Sequence, residues 1–122
     1  TVAGDGGCAI WPLLIGMAKA KEYLFTGDAM SAREAERMGV INKVVPSDQL
    51  MSEVMAFAQR LAAGAPSAIK YTKLAINRVL IERINLVIPN SIAWDFLQMH
   101  TKDFHEAINA FSEKRTPKFT GK

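Results

Sequence analysis

The feature that most constrains the fold is a glycine-rich opening followed by an apolar segment with few polar positions. Residues 4–15 read GDGGCAIWPLLI, and Gly16 follows them. A helix that is apolar on nearly all sides has to be buried on several sides. The helices that follow are amphipathic and offer little surface to cover it. The pattern therefore predicts that further protein packs over this segment.

Length and composition indicate one modest domain. The chain has 122 residues, of which 49% are hydrophobic and 22% charged, so wholesale disorder is not expected. The net charge of +3 suits an anionic small ligand and is weak evidence for nucleic acid. Cys8 alone cannot form an internal disulfide, and with His100 and His105 it has no usual metal-site spacing. No apolar run reaches the roughly 18 residues of a membrane span. We expect an intracellular protein with no metal, membrane or nucleic-acid partner.

Apolar periodicity predicts a mainly α chain with six to seven helices and one short strand. The strand is placed at residues 40–45, where an imperfect alternation ends at Pro46. The predicted helices cover residues 6–15, 17–25, the short stretch between Ser31 and Gly39, 48–63, 67–87, 90–99 and the segment after Thr101.

Several residues are typical of helix ends. Ser31 and Glu34 form a capping box, in which the Ser oxygen accepts a free backbone N–H, and Gly39 is a left-handed stop. Ser47 and Thr101 are predicted to cap the two helices that follow them.

The glycines do not match a nucleotide-binding loop. A dinucleotide fingerprint needs G-x-G-x-x-G between a strand and a helix, and a phosphate loop needs Gly-Lys-Ser/Thr. Neither is present, so spacing alone favours a turn with close helix packing. Asp5 lies among the glycines, where it can cap a helix or act as an acid or base in a cleft. Spacing alone favours capping.

The C-terminus combines an amphipathic helix with a basic tail, which is either a solvated end or an anion clamp. Residues 110–121, AFSEKRTPKFTG, resemble the terminus of the crotonase (enoyl-CoA hydratase/isomerase) superfamily. Residues 3–7 (AGDGG), 13–27 (LLIGMAKAKEYLFTG) and 31–46 (SAREAERMGVINKVVP) resemble further stretches of that family, in the same order. The resemblance covers the whole chain.

The resemblance implies the C-terminal portion of an α/β crotonase fold, a ClpP/crotonase-like spiral. Residues 1–46 would then end the spiral core domain, and residues 47–122 would form a helical region for oligomerisation and CoA covering. Acyl-CoA thioesters are the implied substrates, with coenzyme A as part of the substrate and no separate cofactor. The family stabilises an enolate in an oxyanion hole, and its hydratases add two glutamates that handle water. All of these groups would lie upstream of Thr1.

The resemblance also assigns site residues. Gly4 matches a position facing the reacting end of the acyl group, and Asp5 is a candidate catalytic acid. The family's common form is P-D-x-G-G, whereas here Ala3 replaces the proline and the acid lies one place later. Phe111 and Lys114 match positions that contact the CoA adenine and phosphates, in many members from a neighbouring subunit.

A homotrimer or hexamer is implied as well. Four apolar residues near the last helix would suit its contact surface: Trp94, Phe96, Leu97 and Met99. Burial of these residues in an ordinary core is an equal alternative.

Three functions remain open. The first is part of an enoyl-CoA hydratase-like enzyme, inactive as this chain alone. The second is another reaction on the same scaffold, such as an isomerase or a dehalogenase. The third is a non-catalytic trimerisation module. The expected location is the cytoplasm, or the mitochondrial matrix in a eukaryote.

Overall fold

The computed structural model describes residues 2–122, and this part of the chain is built from α-helices. A single 3₁₀ turn, Ser47–Gln49, precedes the third helix. The five helices found in the described residues are α1 (Gly7–Thr26), α2 (Ala32–Met38), α3 (Leu50–Ala62), α4 (Pro66–Met99) and α5 (Lys102–Ser112). The mainly α prediction is confirmed.

Helix α1 contains the break that its sequence predicts. Gly16 has φ 77° and ψ 162°, which is not helical, so the apolar first half and the more polar second half are separate stretches. Gly27 ends the helix with φ 71°, and its N–H donates to the Tyr23 carbonyl at 2.9 Å. Helix α1 packs against α4, and Ala9, Ala20 and Tyr23 are its buried residues.

Helix α4 is longer than predicted. Two helices were expected, separated before Pro89, but one helix of 34 residues runs through the proline. A proline inside a helix removes one hydrogen bond and introduces a clash, yet it need not end the helix when packing holds both sides. Ser91, two residues later, is buried against the loop before α1, and this contact holds the segment beyond the proline in place.

The predicted strand at residues 40–45 is wrong, because residues 2–122 form no strand in the structure. Its backbone groups pair with α2 instead of with another strand. The N–H groups of Val40 and Val44 donate to the Ala35 carbonyl and to Glu36 Oε1, at 2.8 and 3.0 Å. An extended segment without a neighbouring strand cannot form a ladder, and no other part of this chain has a strand pattern.

The caps at two helices are confirmed. Ser31 Oγ accepts the Glu34 N–H and Thr101 Oγ1 accepts the Phe104 N–H, each at 3.2 Å. The cap predicted at Ser47 is wrong, since that residue lies inside the 3₁₀ turn and α3 has no side-chain cap.

The core of the described chain is small. Within residues 2–122 only five apolar residues are buried, and four of them are alanines. Helix α3 buries no residue, and Phe57 on its apolar face is 52% exposed. In α1, Leu13 and Leu14 also remain 40% and 44% exposed. Large apolar faces are therefore left for other protein to cover.

No helix within residues 2–122 combines the length and the apolar character that crossing a membrane requires.

Candidate functional site

The glycine loop before α1 packs tightly against α4. Gly4 is buried, its N–H donates to the Val2 carbonyl at 2.8 Å, and its carbonyl accepts the Ser91 hydroxyl at 3.1 Å. A Cβ at Gly4 would lie 2.9 Å from the Ser91 carbonyl oxygen, too close for any larger residue without a shift of backbone. Gly6 adopts φ 142°, which L-residues rarely adopt. The prediction that this loop forms a turn with close helix packing is confirmed.

Asp5 lies exposed between these glycines. The N-cap position of α1 belongs to Gly6, and no side chain caps the helix. The expectation that Asp5 caps α1 is therefore wrong: its carboxylate lies one residue too early. Its side chain is exposed on the surface of the loop.

Two buried acceptors on α4 were missed by sequence reasoning. Asp95 Oδ1 and Gln98 Oε1 are buried and have no hydrogen-bond partner within residues 2–122. They lie on α4 one turn apart, and the Cβ of Asp95 would be 3.2 Å from a Cβ placed on Gly4. Buried acceptors are nearly always paired, so these two oxygens are suited to accept a hydrogen bond from a ligand, a water molecule or neighbouring protein.

The end of α5 brings Phe111 and Lys114 into one turn. The Lys114 N–H donates to the Phe111 carbonyl at 3.2 Å, and the Arg115 N–H donates to the Ala110 carbonyl at 2.9 Å. This pair of bonds is a Schellman motif, in which the reversing residue is left-handed and usually glycine. Here that residue is Lys114, with φ 53°. The ring of Phe111 is 86% exposed.

The tail beyond Lys114 folds back onto α5 through Glu106. Both carboxylate oxygens of Glu106 accept from the Arg115 guanidinium, and the Nη2–Oε2 distance is 2.9 Å. Glu106 Oε1 also accepts the Lys118 N–H at 2.9 Å. The hydrogen bonds from Arg115, and after them the one from the Lys118 N–H, lower the pKa of Glu106 to about 2. The hydrogen bonds to Glu106 and Glu113 raise the pKa of Arg115.

Asp103 ties down the last residues in the same way. Its Oδ1 accepts the Thr120 N–H and its Oδ2 accepts the Gly121 N–H, both at 2.7 Å. These hydrogen bonds, that of Thr120 first, hold the pKa of Asp103 below its ordinary value. We call Asp103 and Glu106 the carboxylate clamp. Sequence reasoning missed it, although two acids three residues apart on α5 ahead of a basic tail are a signal for such pairing.

The turn at the end of α5 has the chemistry to bind an adenosine phosphate. An exposed ring can stack on a base, and an ammonium can pair with a phosphate. The end of a helix carries about half a negative charge, which disfavours an anion. The full positive charge of Lys114 therefore has to dominate at this position.

The four predicted site residues form two separate pairs. Gly4 and Asp5 lie in the loop against α4, whereas Phe111 and Lys114 lie at the end of α5. No hydrogen bond within the described residues joins one pair to the other.

An apolar groove of about 590 Å³ lies elsewhere, between α3 and the segment before it. Ile41, Val45, Leu50, Val54 and Phe57 form its apolar walls. The ion pair of Lys43 and Glu53 lies at its side.

The arrangement of these helices matches solved structures of the crotonase fold. A carnitinyl-CoA hydratase from Mycobacterium avium aligns with a TM-score of 0.88 and 28% identity, over 98% of this chain and 47% of that protein. An enoyl-CoA hydratase from Mycobacterium avium subsp. paratuberculosis aligns with a TM-score of 0.84 and 29% identity, over 94% and 47%. The chain therefore has the fold of about half of each of these hydratases.

The sequence assigns the family. The enoyl-CoA hydratase/isomerase family profile matches residues 1–122, and the chain belongs to that family. A short-chain-enoyl-CoA hydratase of Clostridioides difficile is 41% identical over 108 residues, which are 88% of this chain and 70% of that protein. A probable mitochondrial enoyl-CoA hydratase of Dictyostelium discoideum is 33% identical over 126 residues, covering 100% of this chain and 44% of that protein. The chain spans about half the length of most of the relatives it matches.

Proposed function

We propose that this chain supplies the CoA-binding helices of an enoyl-CoA hydratase-like enzyme that acts on acyl-CoA thioesters. The observation that carries the proposal is the turn at the end of α5. It places an exposed aromatic ring, Phe111, and the left-handed Lys114 three residues apart and joins them by a backbone hydrogen bond. The ring would stack on the adenine, and the ammonium would pair with a phosphate.

The reaction in this proposal passes through a stabilised enolate. A proton next to a thioester is weakly acidic, so the developing oxyanion needs fixed hydrogen-bond donors. Those donors and the two glutamates that handle water would come from protein beyond the described residues. Isomerisation of an enoyl-CoA on the same scaffold is the alternative, because the acids outside this chain decide between the two.

The glycine loop would contribute the acyl end of the site. The N–H of Gly4 is already paired with the Val2 carbonyl, so in this conformation the glycine contributes close approach and not a donor. Asp5 is exposed at the same loop and is the candidate proton carrier of the described chain. Asp95 offers a buried acceptor next to Gly4, and Gln98 offers a second one a turn further along α4.

We propose a homotrimer or a hexamer as the working assembly. The side chains of Trp94, Phe96 and Leu97 are 61%, 62% and 68% exposed, and Met99 is 36% exposed, so these residues form no core in the described chain. Exposed apolar surface of this kind favours an interface. The same observation favours the alternative of a non-catalytic trimerisation module. We propose a cytoplasmic location, or the mitochondrial matrix in a eukaryote.

A chimera tests the function. The matched part of the crotonyl-CoA hydratase of Syntrophomonas wolfei, which is 34% identical over 119 residues, is replaced by this chain. The account predicts that the chimera hydrates crotonyl-CoA and that the unfused chain does not. A chimera that assembles to the size of the intact relative but leaves crotonyl-CoA unchanged would support the trimerisation module instead. Turnover by the unfused chain would contradict the assignment of the catalytic groups.

A further inference from the structure

The carboxylate clamp does not contact the candidate ligand, but it determines where the C-terminal tail lies. We propose that Asp103 and Glu106 are positioning residues, which hold the C-terminal tail along α5 and so present Lys114 to the 3′-phosphate of CoA. The proposal rests on the proposed function for the identity of the ligand. It is carried by three observations on the described residues.

The first observation is the order of the clamp's partners. Glu106, nearer the end of α5, pairs with Arg115 and Lys118, whereas Asp103, nearer its start, pairs with Thr120 and Gly121. The tail therefore runs antiparallel to the helix, with one carboxylate for each half of it. Charged acceptors on backbone N–H groups form some of the stronger hydrogen bonds in proteins, so this is a specific fixation of the tail.

The second observation is the backbone of Lys114. Its left-handed φ of 53° is the one positive φ found at a non-glycine residue in the described chain. A side chain with a Cβ is strained in this region, and such a conformation persists only where its surroundings enforce it. The Schellman hydrogen bonds fix one side of the reversal, and the clamp fixes the other side.

The third observation is that the neighbouring cations Lys114 and Arg115 have different hydrogen-bond partners. Arg115 donates from Nε to Glu113 and from both Nη atoms to Glu106, so its guanidinium is committed to holding the tail. Lys114 forms no salt bridge within residues 2–122. The clamp thus neutralises the arginine and leaves the ammonium of Lys114 available for a phosphate.

The test follows the tail and the ligand in one sample by NMR of the full chain. The amides of Thr120 and Gly121 report on tail order through the heteronuclear NOE. Titrations with CoA and with dephospho-CoA, which lacks the 3′-phosphate, report on phosphate recognition. The variants are Asp103→Ala and Glu106→Ala, with Asp103→Asn and Glu106→Gln as conservative partners that keep one oxygen acceptor. Glu53→Gln, which breaks an ion pair on α3, is the matched control.

We expect the two Ala variants to release the tail amides and to weaken CoA binding by about fivefold to tenfold, the effect of losing one ordinary hydrogen bond. Their preference for CoA over dephospho-CoA should fall, and the conservative variants should recover part of it. Glu53→Gln should match the wild type in both readouts. The change in preference is the decisive readout, because a merely structural loss would weaken both ligands equally.

Two results would overturn the inference in different ways. If the clamp variants free the tail but keep the wild-type preference for CoA, positioning is wrong and the proposed function is untouched. If the wild type itself does not distinguish CoA from dephospho-CoA, the assignment of Lys114 fails and the inference fails with it. Variants whose helical signals are lost are replaced by Arg115→Met, which opens the clamp from the tail side.

Discussion

The hydroxyl of Ser91 donates to the carbonyl of Gly4 at 3.1 Å, a buried hydrogen bond between residues 87 positions apart. It lies where the glycine loop meets the C-terminal third of α4, two residues beyond Pro89. The same hydroxyl is also 3.1 Å from the Ile88 carbonyl, so one donor serves two acceptors. This contact fixes the loop that carries the candidate acyl end of the site.

Removing the Ser91 hydroxyl should destabilise the chain. In Ser91→Ala the buried Gly4 carbonyl loses its side-chain donor, and we expect the free energy of unfolding to fall by about 1–3 kcal/mol. Urea denaturation followed by circular dichroism measures it. Ser52→Ala is the matched control, because its hydroxyl bonds the Gln49 carbonyl at an exposed position. Equal effects of the two variants would contradict the importance of the buried contact.

Adding a methyl group to the glycine loop should be costly. The Cβ of Gly4→Ala would meet the Ser91 carbonyl oxygen at 2.9 Å, and a backbone atom cannot give way easily. We expect a loss of about 1–3 kcal/mol in the free energy of unfolding. In the control Gly64→Ala the nearest atom, at 3.0 Å, is the flexible Cδ1 of Ile69, and the nearest backbone atom, the Leu61 carbonyl oxygen, is farther away at 3.2 Å. A smaller loss for Gly4→Ala than for Gly64→Ala in urea denaturation would refute this packing.

Acid should release the C-terminal tail. Asp103 and Glu106 have lowered pKa values in the folded chain, so their stabilisation is fully present above the ordinary pKa of about 4. It is lost as the pH falls through the folded value, which is about 2 for Glu106. The heteronuclear NOE of the Lys118 amide, which donates to Glu106, should stay high at pH 5 and drop between about pH 4 and 2. The Gly121 amide, which donates to Asp103, should also be released as the pH falls below the ordinary pKa of an aspartate.

The control for this titration is the clamp itself. In the double variant Asp103→Ala/Glu106→Ala, which removes every side-chain acceptor of the clamp, the Lys118 and Gly121 amides should be mobile already at neutral pH, with no acid step. The Gly27 amide, at the end of α1, reports whether the helices survive at each pH. A tail that is released above pH 5, or that stays ordered below the pKa of Glu106, would show that other contacts hold it.

Glycine at position 114 should not weaken the fold. Lys114→Gly relieves a left-handed conformation but makes the unfolded chain more flexible. We expect the free energy of unfolding to stay level or to rise by up to about 1 kcal/mol, while CoA binding falls. Lys118→Gly, in the same tail without a positive φ, should lose up to about 1 kcal/mol. Urea denaturation that ranks the two variants in the opposite order would contradict the strain at Lys114.

Local signals in the sequence determined what could be predicted. The caps at Ser31 and Thr101 and the break at Gly16 follow from the residues themselves, and the structure shows them. The prediction of a strand at residues 40–45 was wrong, because a strand needs a neighbouring strand to pair with and this sequence has no second strand pattern. The continuous helix through Pro89 was not predicted, because the buried contact of Ser91 beyond the proline has no signal in the local sequence.

The site was predictable where a resemblance supplied the residues. Phe111 and Lys114 were named from their motif, and the structure adds that they share one turn. The clamp was not found, because it joins α5 to a tail 9 to 18 residues further on and no periodic pattern marks such a fold-back. The unpaired oxygen of Asp95 becomes visible only once α4 is packed against the glycine loop.

Titration of the full chain with CoA tests the central claim most directly, that the turn at the end of α5 binds the adenosine phosphates of an acyl-CoA. The variants are Lys114→Met and Phe111→Leu, and the matched controls are Lys73→Met and Phe25→Leu, which change exposed residues of α4 and α1. The account predicts that each site variant weakens CoA binding by about tenfold, whereas the controls bind as the wild type does. Equal affinity of all five proteins would contradict it.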